Sequence, residues 1–298
     1  MSKTRRFTVR ERERDGAVWE SCSDMACFAS PPRVSTVTAT AYIGFSPIDL
    51  DTLFRSLPLC DDIPGIAYVQ YGQSKDPTFT RRGVHPRPRK PRPSNRVTAR
   101  KFDNQVTVVL CVSEAVHVNV KVFANGNVQT TGAKSTEVGR WTVDWIATQV
   151  SSIFGPEQGG STGPFGDRNY RIRLINTDFR VGMEIRRDEL YRMMVSEAFE
   201  NVRITYEPCI YPAVKIECYH RAGPKDDVPC ICKAGAAVPS RKCTACRKVT
   251  FAVFRSGCIL HTGNDAEHMA RTREFVVNYL SQHQDRLRQT KAVAPSLA

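Results

Sequence analysis

A ten-residue pattern occurs twice in the chain. Phe123-Ala-Asn-Gly126-Asn-Val128-Gln-Thr-Thr131-Gly132 returns as Phe254-Arg-Ser-Gly257-Cys-Ile259-Leu-His-Thr262-Gly263, 131 residues later. An apolar alternating run precedes each copy, and a helix-like run follows it. Solenoid repeats recur every ~20–45 residues, so two copies at this longer period point to a duplicated domain with pseudo-two-fold symmetry.

Periodicity supplies the local structure. Val118, Val120 and Val122 alternate with Asn119, Lys121 and Phe123, the pattern of a half-buried strand. After the turn, Val128 and Thr130 alternate with Gln129 and Thr131. A three-residue loop with Gly126 left-handed keeps the valines on one face, whereas a two-residue turn would mix the faces. The aliphatic face covers a core. The opposite face carries Lys121, Phe123, Gln129 and Thr131, and in the second copy Ala252, Phe254, Leu260 and Thr262. It mixes apolar with hydrogen-bonding groups and shows no carboxylate.

Helices complete each half. Ser46-Pro47-Ile48-Asp49 reads as a helix start with Ser46 as cap. Residues 135–154 place Val138, Trp141 and Trp145 on one stripe, with Ile146, Val150 and Ile153 beside it. Residues 265–288 do the same with Met269, Phe275, Val276, Tyr279 and Leu280, and 186–200 form the counterpart of the helix after Ser46. Strand, short helix, several strands and long helix, twice over, define an α+β fold. Its antiparallel sheet is covered on one face, and the uncovered face needs a partner.

Composition narrows the function classes. No apolar run approaches the roughly 20 residues of a membrane span. Met1 to Glu20 lacks the apolar segment of a secretory signal. The net charge is +13, yet nine basic and no acidic residues lie in Arg81–Lys101, interleaved with Pro86, Pro88, Pro91 and Pro93. The other 277 residues hold 34 basic and 30 acidic side chains, so the charge excess belongs to a Pro-rich insertion. Such a segment suits a phosphate-binding arm or an import signal as well as a solvated loop.

Eleven cysteines without a secretory signal point to thiols or metal ligands, not disulfides. Cys230-x-Cys232 and Cys243-x2-Cys246 are two close pairs, a spacing that fits one structural zinc with four thiolate ligands. Arg241, Lys242, Arg247 and Lys248 would lower the thiol pKa values. The expected organisation is a leader at 1–30, a first repeat at 31–154 with the basic insertion 81–101, and a Gly-rich linker at 155–168. A second repeat follows at 169–284 with the Cys-rich insertion 221–247, then a tail at 285–298.

Several motifs resemble the TATA-box-binding protein family over about Arg33 to Ser281. Tyr206-Glu207-Pro208 followed by Tyr211-Pro212 looks like the family segment that leads into an inserting aromatic. Ile172 to Leu190 aligns without gaps on its opening strand and helix, with Ile185-Arg186 matching an Ile-Arg pair. Thr131-Gly132-Ala133-Lys134-Ser135 matches its Thr-Gly-Ala-Lys-Ser signature. The resemblance implies a saddle: a curved antiparallel sheet with helices on the convex face. It implies a non-enzymatic transcription initiation factor that binds the minor groove of TA-rich double-stranded DNA. In that family aromatic wedges kink the duplex by about 80°.

Carried over residue by residue, one wedge pair would be Tyr211 and Phe254. Phe123 belongs to the other pair. A gap-free count for its mate reaches Val106, while Phe102 lies four residues earlier and is the favoured candidate. Thr131 and Thr262 match the threonines at the central base pairs. Thr36 and Leu174 take the places of the central asparagines, with Lys121, Gln129, Arg173 and Leu260 nearby on the face. Asn264-Asp265 replaces an Ala-Lys pair. Glu207 and Ile210 would meet a transcription-factor-IIB-like partner that brings RNA polymerase.

The divergence suggests a member from a large DNA virus or a protist, acting in a nucleus, a viral factory or a virion. The rival reading is a scaffold of the same fold that holds protein partners, or DNA without TATA preference. An enzyme is disfavoured. Cys258 and His261 would point to opposite faces of one strand, and no phosphate loop or His-Glu-x-x-His helix is present.

Overall fold

The computed structural model describes residues 28–76, 78–86, 104–155, 168–197, 199, 201–221 and 246–289. The first half contains β1 (Arg33–Tyr42), α1 (Leu50–Ser56), β2 (Gly65–Tyr71), β3 (Arg81–Gly83), β4 (Gln105–Cys111), β5 (His117–Phe123), β6 (Asn127–Ala133) and α2 (Thr136–Phe154). The second contains β7 (Arg171–Arg180), α3 (Arg187–Ser196), β8 (Val202–Thr205), β9 (Val214–Arg221), β10 (Cys246–Val253), β11 (Cys258–Gly263), α4 (Ala266–Gln282) and α5 (Gln284–Leu287).

These strands form one curved antiparallel sheet in the order β3-β2-β4-β5-β6-β1-β7-β11-β10-β9-β8. Outward from the β1–β7 pair the order is mirrored, β6-β5-β4-β2 on one side and β11-β10-β9-β8 on the other, with β3 an additional edge. The register makes the symmetry residue-specific. Val37 faces Ile175, flanked by Thr38–Leu174 and Thr36–Asn176. Exchanging the halves, Thr38 for Asn176 and Thr36 for Leu174, swaps the two flanking pairs. The pseudo-dyad therefore runs through Val37 and Ile175, and the fold is the duplicated α+β saddle.

One continuous core lies between the sheet and the helices. Val118, Val120, Val122 and Val128 of the first half and Val249, Phe251, Val253 and Ile259 of the second all face it. The two hairpin turns are as expected from the glycines. Gly126 (φ 77°) and Gly257 (φ 74°) are left-handed, and their N–H groups donate to Phe123 O and Phe254 O. Glycine adopts that conformation without the steric cost a Cβ imposes. Val122 then pairs with Val128, keeping the aliphatic face intact.

Several expectations need correction. Helix α1 is capped by Asp49, not Ser46: its carboxylate accepts Asp51 N–H and Thr52 N–H, a stronger acceptor than a hydroxyl. The buried stripe of α2 is Gly139, Thr142, Val143, Ile146, Ala147 and Val150, with Trp141 and Trp145 only partly buried at its edge. Arg81–Gly83 is strand β3, paired with β2, so the start of the basic insertion is an edge strand and not a loop. Arg82 donates to the carbonyls of Phe54, Arg55 and Leu57, closing the C-terminal end of α1. The second half extends past 284, because Leu287 is fully buried and Arg288 bridges to Ile185. At the other end Ala29 bridges to Val181, inside the expected leader. Among the described residues no helix is long and apolar enough to cross a membrane.

Candidate nucleic-acid interface

The helices leave one face of the sheet open. Strand alternation decides which side chains stand on it. On the outer hairpins these are Lys121, Phe123, Gln129 and Thr131 in the first half and Ala252, Leu260 and Thr262 in the second, across from one another in the ladders. Phe254 stands at the end of its hairpin and meets Tyr211 edge to face, with ring centroids 5.9 Å apart. Tyr211 is 42% exposed and Leu260 41%. A solvated aromatic pair of this kind gains little from the fold, since its rings are not in the core.

Tyr211 is delivered by the loop between β8 and β9. Ile210 N–H and Tyr211 N–H both donate to Glu207 O, folding the Tyr206-Glu207-Pro208 segment into a tight turn. Arg187 holds the loop from below by donating to Pro212 O. The turn pushes Ile210 outward to 79% exposure, and Glu207 is exposed beside it. In the first half Phe123 is placed as its counterpart. Val106 is fully buried on the helix side, which removes it as the mate of Phe123. Phe102 lies outside the described residues.

The centre of the face differs from the gap-free reading. Thr262 Oγ1 donates to Asn176 Oδ1 at 2.9 Å, and Thr38 Oγ1 lies 3.4 Å from Thr131 Oγ1. Asn176 and Thr38 are thus the dyad-related neighbours of the two threonines, and an asparagine does stand at the centre. Thr36 has a different task. The β1–β6 register shifts between Val37 and Thr38, skipping Gly132, and Thr36 Oγ1 accepts the Gly132 N–H at 2.9 Å. A bulge leaves one ladder donor unpaired, and Thr36 satisfies it. Arg173 Nε donates to Thr40 Oγ1 at 2.8 Å, placing its guanidinium beside the open face.

The whole face is not free of carboxylates, although the hairpin strands are. Asp178, dyad-related to Thr40, stands across from Leu260 and is bridged by both oxygens to Arg33. Glu217 on β9 is 4% exposed and sits between Lys248 Nζ at 2.6 Å and Lys215 Nζ at 2.9 Å. Each acid is neutralised in place, so the electrostatic requirement for a polyanion is still met.

Cys230, Cys232 and Cys243 lie outside the described residues. Cys246 begins β10, and its backbone pairs with Arg221, closing the Cys-rich insertion at its base. Cys258 is on the open face, and His261, 2% exposed, is on the core face. The two are therefore apart, as the strand period requires.

Fold and face define a duplicated saddle with an aromatic-tipped open sheet. No family model matches the chain. A TATA-box-binding protein-like protein of Acanthamoeba polyphaga mimivirus is 26% identical over 277 residues, covering 86% of this chain and 66% of that protein. The chain thus spans just under two thirds of its relative's length. Among solved structures, Methanococcus jannaschii TBP is similar over 85% of this chain and 99% of its own, at 16% identity and a TM-score of 0.48. Over most of its length the chain is thus similar to a viral TATA-box-binding protein-like protein.

Proposed function

We propose that the open face binds the minor groove of TA-rich duplex DNA. On this reading the chain is a non-enzymatic transcription initiation factor that bends promoter DNA. The observation that carries the proposal is the Tyr211–Phe254 pair, partly exposed at the edge of an open sheet. The minor groove presents a degenerate hydrogen-bond pattern, so a reader there needs broad contact, few polar groups and apolar wedges. Unstacking a base step costs a few kcal/mol, offset by the wider contact that bending permits. TA steps deform most cheaply, which gives a preference without base-edge hydrogen bonds. Thr262 with Asn176, and Thr131 with Thr38, supply the few polar groups at the centre. Lys121, Gln129 and Arg173 add cationic and hydrogen-bonding contact around them.

The exposed Ile210 and Glu207 form the docking point for a factor-IIB-like protein and, through it, RNA polymerase. The mimivirus relative supports a viral origin, with the viral factory or virion as the place of action.

The test is an end-labelled duplex whose ends approach on bending, read by energy transfer. Duplexes with and without central TA steps are compared for the native chain, Phe254→Ala and Tyr211→Ala. The native chain should bend the TA duplex, and each variant should lose most of the bend and about tenfold or more in affinity, the ~1–3 kcal/mol scale of base–aromatic stacking. Binding without a bend and without TA preference would reject the proposal in favour of the scaffold reading.

A further inference from the structure

The helix side of the pseudo-dyad holds a second feature, unrelated to the open face. A cavity of about 380 Å3 lies there, within the range of small-molecule sites. Its floor is Val37 and Ile175, the residues of the dyad itself, with Val34 and Met269 beside them. The first turns of α2 and α4 enter from opposite sides, through Ser135, Thr136 and Ala266. Helix N-termini favour negative charge.

Two side chains give the cavity chemical character. His261 is 2% exposed, and among the described residues neither ring nitrogen has a hydrogen-bond partner. It is stacked on Phe251 with centroids 4.4 Å apart and meets the edge of Phe179. A neutral imidazole has one N–H and one bare nitrogen, and leaving both unmade in a core is costly. Arg273 donates one Nη2 bond to Ser30 O and lies over Phe179. Its Nε is buried without a hydrogen-bond partner among the described residues. The acid of the lining, Glu137, is exposed and is held by Ser135 in the first turn of α2, with Arg140 nearby.

The dyad shows that the fold itself does not require these two groups. The positions related to His261 and Arg273 are Thr130 and Val143, both buried. The helix caps Ser135 and Asp265, and the matching bonds of Thr142 to Val138 O and Thr272 to His268 O, fix this pairing of α2 with α4. One half thus completes the same packing with small residues. The other supplies a guanidinium and an imidazole with unused donors, both facing an apolar space.

We propose that this cavity binds a small organic carboxylate with an apolar body, its anion held by Arg273 and His261 and its body against Val37, Ile175 and Met269. The partially unpaired cation calls for an anion, and the apolar floor excludes a bare inorganic one.

The probe is 2-naphthoate, with the neutral 2-naphthamide as its control, titrated into the full chain by calorimetry. Naphthoate should bind one to one. Arg273→Met should weaken it about tenfold to a hundredfold, the scale of a hydrogen bond to a charged group, and leave the weaker amide unaffected. Ala270→Trp, on the exposed face of α4 at the cavity rim, should fill the space and abolish binding of both, while the circular dichroism spectrum is retained. Absence of saturable naphthoate binding, or an affinity unchanged by either substitution, overturns the proposal. If one variant fails to fold, the other decides alone.

Discussion

Replacing Glu217 by Gln is expected to move stability and DNA affinity in opposite directions. The carboxylate is almost fully buried on the open side of β9, bonded to Lys248 and Lys215. Burial disfavours its charge, but the two lysine hydrogen bonds and the charges behind them prevail and hold the carboxyl below its ordinary range. A hydrogen bond to a charged group contributes ~1.5–3 kcal/mol. The lysine side chains are 41% and 44% exposed, so solvent screening takes the value towards the lower end, and glutamine keeps a neutral acceptor. A net loss of about 1–2 kcal/mol follows, a fall in Tm of roughly 2–8 °C for a domain of this size. The same change releases two ammonium groups at the proposed interface. Each one that reaches a phosphate steepens the dependence of log K on log salt by ~0.9. Glu217→Gln should therefore melt earlier, yet bind duplex DNA more tightly at low salt with a slope steeper by about one to two.

Thermal melting and anisotropy titrations at several salt concentrations measure both. A lowered Tm with an unchanged slope would place β9 outside the DNA footprint, and an unchanged Tm would refute the neutralisation argument. The pH dependence has a defined sign. The folded carboxyl titrates below the unfolded one, so its stabilisation is complete above roughly pH 4.3 and is lost as pH falls through the folded value. The glutamine variant should lack that loss.

His261 gives a second acid limb: burial, aided by Arg273, pushes its imidazole down to about 4. The unfolded chain takes up the proton first, so stability should fall from about pH 6.5 towards 4 by up to ~1.4 kcal/mol per unit, and His261→Phe should flatten denaturant midpoints over that range. Gly126→Ala forces a left-handed alanine and sets its Cβ against the Phe45 carbonyl, so chemical denaturation should show a loss of about 1–3 kcal/mol. Deleting residues 87–101 should weaken DNA binding and flatten its salt dependence while the bend angle stays unchanged. One zinc per chain by elemental analysis, lost in Cys243→Ser, is the expected result for the Cys-rich insertion; unchanged substoichiometric metal would reject it.

The hairpins were legible because period-two valines and a left-handed glycine leave one consistent pairing, and both copies repeat it. The centre was not, for a local reason. The bulge at Gly132 shifts β1 against β6, and an alignment by counting cannot see a bulge. Thr36 and Leu174 are the positions a gap-free count reaches, and Thr38 and Asn176, two residues on, are the ones that meet Thr131 and Thr262. The alternation Val37-Thr38-Ala39-Thr40-Ala41, buried at each odd member, carried the correct facing. The carboxylates escaped for another reason. Asp178 and Glu217 are on strands outside the repeated motif, and their dyad-related positions hold Thr40 and Val109, so nothing in the first half announces them.

Those mismatched positions bear on how the saddle would be used. A symmetric face would accept a duplex in either of two orientations with equal affinity. Here one half offers Thr40, Lys121 and Gln129, and the other Asp178, Ala252 and Leu260, at dyad-related places. The two orientations then differ in which half-site meets the cationic, hydrogen-bonding half and which meets the apolar, acid-bearing one. On the proposed interface, these three pairs are one source of any directional reading of a promoter by the protein alone. Lys121→Ala together with Leu260→Gln should shrink the orientation bias of the bent complex, measured by placing the label at either end of the duplex. A bias that survives both changes would move the source of polarity to the wedges.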